Sequence, residues 1–310
     1  MATIRIGTRG SKLALVQSDH VRDVLTRSHP EHDFELVTIK TTGDKILDAP
    51  LSKIGDKGLF TKEIEKELID GAIDLAVHSM KDMPTALPEG LRIGAVTKRL
   101  DPCDVFISRD GKKLRDLGDS DTVATGSLRR KAQLLAFNPG LHIVDIRGNV
   151  QSRLKKMREN PALSGIILAH AGLARLNMTD IISETIPEDM IISAVGQAAL
   201  AIEIRSGDRR AEEIITSLND PESEMAIGCE RAFLSALGGG CQVPIAGLAR
   251  LAGNELVLRG MVASLDGREI YQGTLSGSAS DHDEIGRSLA RKLLDEGARK
   301  ILEQIYGRPL

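Results

Sequence analysis

Three stretches of the chain carry basic side chains and no acidic ones, although the formal net charge of the whole protein is only -3. They are residues 4–15, 122–133 and 147–158, each at a predicted junction between a strand and the following helix. Backbone N–H groups and the positive end of a helix dipole face anions at such junctions. Arginine adds planar, bidentate recognition of carboxylate or phosphate. The pattern predicts an anion-binding site, while about half of these bases are expected on solvated helix faces. The bases at the strand ends are Arg9, Arg129, Arg130 and Arg147.

A second chemical feature is the pair Lys81-Asp82, which follows an apolar predicted strand and enters a loop containing Pro84. A cation beside a carboxylate keeps the acid ionised. An ionised aspartate among basic groups can stabilise a positive intermediate and relay protons. A structural ion pair explains the same residues, so the motif alone leaves both interpretations open. We expect the nearby His78 to make a hydrogen bond within the fold, and no ligand spacing indicates a metal site.

A third feature is Cys241, which directly follows three glycines at 238–240. The glycines free the backbone and remove side-chain cover, which suits a thiol presented to a ligand. An inert buried cysteine is the alternative, and it is what we expect of Cys103 and Cys229. Three cysteines are too few for a disulfide scaffold, which favours reduced thiols and a cytoplasmic protein.

The elements that must position these groups alternate between strands and helices. Strands are predicted at 3–7, 34–41, 73–78, 91–96, 104–108, 122–125, 142–146 and 165–169. Helices are predicted at 12–25, 61–70, 128–137 and 150–159, with Thr61 as an N-cap. This rhythm is typical of mostly parallel sheets with helices on both faces. Two successive units of about 100 residues each indicate two similar lobes facing a cleft.

The last part of the chain has a different pattern. A helix is predicted at 221–237 and ends at the glycines, and antiparallel strands are predicted at 244–250, 255–264 and 269–275. One closing helix is predicted at 283–305 from its apolar periodicity. These elements predict a smaller α+β domain.

Composition argues against several classes of partner. Aromatic residues are only 2% of the chain and acids outnumber bases 44 to 41, so neither nucleic acid nor an anionic membrane is an expected partner. The N-terminal residues contain no apolar stretch long enough for a secretory signal. The longest uncharged run, 232–249, contains glycines and a proline and does not predict a membrane span.

Seven motifs follow one another along the chain. They are GTRGSKLAL at 7–15, DKGLFTKE at 56–63, HSMKDMP at 78–84, TGSLRR at 125–130, IRGNV at 146–150, AGLARL at 171–176 and GGCQVPI at 239–245. In this order they closely resemble the porphobilinogen deaminase family, whose members are also called hydroxymethylbilane synthases. The C-terminal part is similar mainly in length and pattern.

The resemblance implies an α/β fold of three domains. The first two would be like the lobes of type-II periplasmic binding proteins around a cleft, and the third would be a smaller α+β domain that carries the cofactor. Domain 1 would take residues 1–97 plus 197–216, domain 2 residues 98–196, and domain 3 residues 217–310.

The resemblance also implies the reaction. A transferase of this family deaminates four porphobilinogen molecules and joins them head to tail into hydroxymethylbilane, releasing ammonia, in porphyrin and heme biosynthesis. A dipyrromethane cofactor primes the reaction, held by a thioether that here would form on Cys241. The family further implies a cytoplasmic monomer.

Site residues follow from the same match. Asp82 corresponds to the catalytic aspartate, which would stabilise the cation left after loss of ammonia. The expected cofactor- and substrate-binding residues are Arg9, Ser11, Lys81, Thr125, Ser127, Arg129, Arg130, Arg147, Arg153, Arg175 and Gln197. Lys57 and Phe60 match a loop over the cleft. The chain departs from many members at Ala198, where they have glycine.

Two other functions share some of these features. A non-catalytic protein that binds an anionic solute and has the same bilobal fold would need neither Cys241 nor Asp82. An anion-binding enzyme with Cys241 as a direct nucleophile would carry no permanent adduct.

Overall fold

The computed structural model describes residues 3–45, 58–240 and 243–310. These residues fall into two compact units. One comprises 3–45, 58–100 and 198–224, and the other 101–197 and 225–310. The described part of the chain contains one β-sheet in the first unit and two in the second.

The strands are β1 (Thr3–Arg9), β2 (Asp33–Ile39), β3 (Leu75–Ser79), β4 (Leu91–Val96), β5 (Asp104–Ser108), β6 (Thr122–Ala124), β7 (His142–Val144), β8 (Gly165–Ala169), β9 (Glu184–Thr185), β10 (Leu200–Arg205), β11 (Ile245–Ala252), β12 (Glu255–Ala263) and β13 (Ile270–Ser278). The helices are α1 (Lys12–Ser28), α2 (Thr42–Lys45), α3 (Lys62–Ile69), α4 (Leu128–Phe137), α5 (Val150–Glu159), α6 (His170–Arg175), α7 (Arg209–Ile215), α8 (Pro221–Ala236), α9 (His282–Leu293) and α10 (Arg299–Tyr306).

The two five-stranded sheets share one topology. The first has the order β2-β1-β3-β10-β4 and the second the order β7-β6-β8-β5-β9. In each, three neighbouring strands are parallel and the fourth is antiparallel to both strands beside it. Four of the five strands in each sheet therefore run in the same direction, which confirms the expectation of mostly parallel sheets, and the fourth strand is the exception. In sequence, β10 is the first strand after residues 101–197 of the other unit, and β5 is the first strand after residues 58–100 of the other unit.

Helix caps set the three basic junctions. Ser11 accepts a hydrogen bond from the backbone N–H of Ala14 at 3.3 Å and begins α1. Ser127 begins α4 and Asn149 begins α5 in the same way. Each cap satisfies a backbone N–H donor in the first turn of its helix and so fixes the residue at which that helix begins. Thr61 stands at the N-cap position of α3 but its side chain makes no capping bond, contrary to expectation.

The apolar faces bury each sheet against its helices. In the first unit, Ile6, Leu75 and Ile202 are fully buried and pack with Val21 and Leu25 of α1. Burial of such side chains contributes roughly 1.5–3 kcal/mol each. The second unit repeats this around Val105, Ile166 and Leu173. The strand ends that carry the polar residues are thus held by rigid cores.

The C-terminal sheet, β11-β12-β13, is antiparallel and packs on α8 and α9 through Phe233 and Leu289. The prediction of one closing helix at 283–305 is wrong. Residues Leu294–Ala298 separate α9 from α10, and within them Gly297 has a non-helical φ of 131°. A Cβ at Gly297 would lie 2.5 Å from the Tyr271 hydroxyl, so the close approach of this turn to β13 requires glycine.

Within the described ranges, no helix is both long enough and apolar enough to cross a membrane.

Candidate functional site

The first unit contains a pocket at the carboxyl ends of β1 and β3. The pocket is open to solvent on one side. Its lining comprises Arg9, Ser11, Leu13, Ala14, Gln17, Phe60, Thr61, Val77, His78, Ser79 and Asp82. Four of the residues singled out from sequence, namely Arg9, Ser11, Phe60 and Asp82, therefore meet in one place.

Arg9 ends β1, and its guanidinium carbon lies 4.2 Å from the centre of the Phe60 ring. Such a cation–π contact contributes roughly 0.5–2 kcal/mol, depending on exposure. A Cβ at Gly43 would lie 2.2 Å from this ring, so Phe60 packs closely against the backbone there. The contact keeps the Arg9 charge at the pocket wall.

Asp82 reaches the pocket through a short turn, Met80–Asp82, that directly follows β3. Lys81 and Asp82 are both half-buried, and of the two only Asp82 lines the pocket. The turn presents the carboxylate at the strand end instead of within the sheet. This is the edge at which open α/β sheets bind ligands.

Sequence reasoning did not single out two polar residues of this pocket. The side-chain amide of Gln17 donates a hydrogen bond to the Ser79 hydroxyl at 3.0 Å, and Gln17 is only 4% exposed. The sequence feature that could have identified Gln17 is a polar residue on the buried face of α1, where an apolar residue is expected.

A buried group of titratable residues adjoins the pocket through His78, which is part of its lining. Nε2 of His78 is 2.9 Å from a carboxylate oxygen of Glu203, and neither side chain is more than 4% exposed. The expectation that His78 makes a hydrogen bond within the fold is confirmed. Glu65 lies nearby, and burial, with a smaller contribution from the Glu203 charge, raises the pKa of its carboxyl.

In the second unit, Arg129 and Arg130 in the first turn of α4 both contact Asp104 on β5. An Nη2 of each arginine lies 2.7 Å from a different oxygen of this carboxylate. The Gln197 amide donates to Asp104 at 2.8 Å and to the Pro102 carbonyl at 2.6 Å. The two guanidinium groups hold the pKa of Asp104 well below its usual range, and burial lowers the pKa of Arg129.

Arg147 and Arg153 lie around the N-terminus of α5. Nε of Arg153 donates to the Gly148 carbonyl at 2.7 Å. Nη1 of Arg147 is buried and makes no hydrogen bond within the described part of the chain. Arg175, at the end of α6, is half-buried, and burial lowers its pKa to about 10.

Thr125 and Ser127 lie at the turn before α4. The backbone N–H of Ser127 donates to the Thr125 hydroxyl at 3.3 Å, and the Ser127 hydroxyl accepts from the backbone N–H of Arg130 at 3.4 Å. Both hydroxyls therefore shape the turn that leads into α4.

Two of the predicted site residues, Cys241 and Lys57, lie outside the described residues. Cys229 is buried as expected, whereas Cys103 is only half-buried, so the expectation of burial is wrong for Cys103. Burial raises the pKa of both thiols to about 12, which makes each a poor nucleophile. Among the residues that the structure describes, no three His, Cys, Asp or Glu side chains are arranged to hold a metal ion.

Comparisons with known proteins agree over nearly the whole chain. The family described as "Porphobilinogen deaminase, dipyromethane cofactor binding domain" matches residues 4–213, and "Porphobilinogen deaminase, C-terminal domain" matches residues 225–295. A porphobilinogen deaminase of Moorella thermoacetica is 54% identical over 98% of this chain and 97% of its own. One of Syntrophomonas wolfei is 53% identical over 97% of this chain and 98% of its own.

One of the solved structures to which the chain is similar is that of the methionine-binding protein MetQ. It is 13% identical, with a TM-score of 0.42 over 72% of this chain and 90% of that protein.

Proposed function

The chain belongs to the porphobilinogen deaminase family, and we propose that Asp82 performs the central chemical step of the family's reaction. The protein is a transferase that joins four porphobilinogen molecules head to tail into hydroxymethylbilane and releases ammonia. Family membership favours this activity over the non-catalytic solute-binding alternative. The observation that supports the role of Asp82 is its place in one pocket with Arg9 and Ser11.

The reaction passes through a cation, which a carboxylate at this position would stabilise. Loss of ammonia from porphobilinogen breaks a carbon–nitrogen bond and leaves a methylene-pyrrolenine cation. The free α-carbon of the preceding pyrrole then forms the new carbon–carbon bond and loses a proton, while the ammonia takes up one. In our proposal the Asp82 carboxylate accepts a hydrogen bond from the pyrrole N–H and stabilises the positive charge.

The described residues suit a polycarboxylate. Each pyrrole of the substrate and of the dipyrromethane cofactor bears an acetate and a propionate, and unpaired carboxylates are costly to bury. The cofactor supplies the primer on which the chain is built. Arg9, and Arg147 with its unsatisfied Nη1, would bind such groups beside the helix N-termini of the basic junctions. The remaining proposed contacts are Ser11, Lys81, Thr125, Ser127, Arg129, Arg130, Arg153, Arg175 and Gln197.

The finer features of the family stay proposals for this chain. We propose a thioether between the cofactor and Cys241, a loop role for Lys57 and Phe60, and domains of residues 1–97 plus 197–216, 98–196 and 217–310. We also propose a cytoplasmic monomer that binds neither nucleic acid nor a membrane.

The test combines intact mass with turnover. Denatured wild-type protein should carry the mass of a dipyrromethane, and Cys241→Ala should lack it. Asp82→Asn should keep this mass and lose at least ~100-fold in kcat, as for loss of a group that stabilises transition-state charge. The matched control is Asp74→Asn, which should retain turnover. Asp74 is a half-buried carboxylate that directly precedes the first residue of β3, whereas Asp82 follows its last residue. Near-normal porphobilinogen consumption by Asp82→Asn would overturn the role of Asp82.

A further inference from the structure

Asp104 is a fully buried carboxylate that three side chains from two other segments surround. Arg129 and Arg130 come from α4, and Gln197 comes from the segment before β10. Each of these three residues is at most 5% exposed, and Asp104 itself is 1% exposed. The family resemblance implied that the three donors bind cofactor and substrate, and Asp104 was expected only to begin a strand.

The charges of this group do not cancel. Two guanidinium groups face one carboxylate, which leaves one positive charge in a buried place. The Nη1 atoms of Arg129 and Arg130 donate to the carbonyls of Ile192 and Ile167. Nε of Arg130 is buried and has no hydrogen-bond partner among the residues described. An uncompensated buried charge is unfavourable until an anion or water meets it.

We propose that Asp104 is a positioning residue that makes Arg129 and Arg130 a single receptor, of net charge +1, for one pyrrole carboxylate. This inference rests on the proposed function, because it takes the ligand of the two arginines to be a carboxylate of porphobilinogen or of the cofactor.

The geometry explains why an aspartate is needed between the arginines. Adjacent guanidinium groups repel each other, and a carboxylate that bonds to one Nη2 of each holds both in a fixed orientation. An arginine that is already ordered loses less side-chain entropy when it binds an anion. Because Asp104 acts on binding and not on the reacting atoms, its loss should appear in KM more than in kcat.

Four proteins that differ in the net charge of this buried group test the proposal. The net charge of the group is +1 in the wild type, +2 in Asp104→Asn, 0 in Arg130→Gln, and +1 again in the double variant Asp104→Asn/Arg130→Gln. Each single variant should raise KM for porphobilinogen at least ~10-fold with kcat within ~3-fold. The double variant should bring KM back to within ~3-fold of wild type, since Arg129 keeps an oxygen acceptor at position 104.

A second readout does not depend on turnover of the loaded enzyme. The fraction of protein that carries a dipyrromethane, read from denatured intact mass, should fall in each single variant and recover in the double variant. Lys131→Gln removes a positive charge from the next residue of α4 and is the matched control. It should change neither KM nor cofactor loading by more than ~2-fold.

A purely structural role for Asp104 predicts that the double variant is at least as impaired as the worse single variant, and this result would overturn the proposal. If Asp104→Asn does not fold, the KM and cofactor loading of Arg130→Gln are compared with those of the double variant. A double variant that is no better than Arg130→Gln then overturns the proposal. A wild-type protein that consumes no porphobilinogen overturns the proposed function and the inference with it. Normal wild-type turnover without rescue in the double variant overturns the inference alone.

Discussion

The buried pair His78–Glu203, of which His78 lines the same pocket as Asp82, offers a quantitative test of how β3 and β10 are held together. Glu203 on β10 is wholly buried, and its carboxylate lies 2.9 Å from Nε2 of His78 on the neighbouring strand β3. Glu203→Leu would leave this ring nitrogen buried without an acceptor, which costs about 1–3 kcal/mol for a neutral group and 3–5 kcal/mol for a charged one. Glu203→Gln keeps an oxygen acceptor and should cost about 1 kcal/mol or less. We therefore expect the leucine variant to be less stable than the glutamine variant by about 2 kcal/mol.

The assay is native-state hydrogen exchange of the amides of β3 and β10, because local exchange reports this sheet separately from the rest of a chain with more than one unit. A double variant, His78→Leu/Glu203→Leu, removes both polar groups and should recover most of the loss, giving a coupling energy of roughly 1–3 kcal/mol. Equal protection in the leucine and glutamine variants, or simple additivity in the double variant, would refute the reasoning.

Two further predictions concern stability. Burial raises the pKa of Glu65, so the folded protein keeps a proton at a pH where the unfolded chain has released it. The contribution of this proton to the free energy of unfolding is complete below the ordinary pKa of 4.5. It is lost as the pH rises through the raised pKa of the folded state. Glu65→Gln should flatten the decline in Tm that begins as the pH rises above 4.5, and an unchanged slope would contradict the burial argument. Ala198 has φ 81°, where an L-residue costs about 1–2 kcal/mol, so Ala198→Gly should stabilise the chain by about 1 kcal/mol despite the added freedom of glycine. Thermal unfolding checks this against Gly196→Ala, which puts a side chain at φ 70° and should lower Tm; a lower Tm for Ala198→Gly would contradict the strain.

Local patterns predicted many elements closely. The bounds of β4, β5, β8, α4 and α5 agree with those expected from apolar periodicity and capping residues. These signals work because the period of 2 or 3.6 residues and the capping hydrogen bond depend only on neighbours in sequence.

Elements that depend on distant partners were missed. No strand was expected at β10, because a short apolar run is equally compatible with a buried helix segment, or at β9, which comprises only the polar residues Glu184–Thr185. β10 exists as a strand because it pairs with both β3 and β4, which lie more than a hundred residues earlier in the chain. The closing helix breaks at Gly297, which has φ 131° and lies close to Tyr271, and helical periodicity contains neither feature.

The amino-acid sequence by itself determined the family and the chemistry, since the arginines, the aspartate and the cysteine loop stand in ordered motifs that need no contacts to be read. It also placed Arg9 and Asp82 at strand ends. Only the tertiary structure decided how these charges are used: Arg9 lies over Phe60, whereas Arg129 and Arg130 share the carboxylate of Asp104. The physical reason is that ion pairing of a buried group depends on which side chains the folded chain brings within about 4 Å of it, and that distance is set by long-range packing.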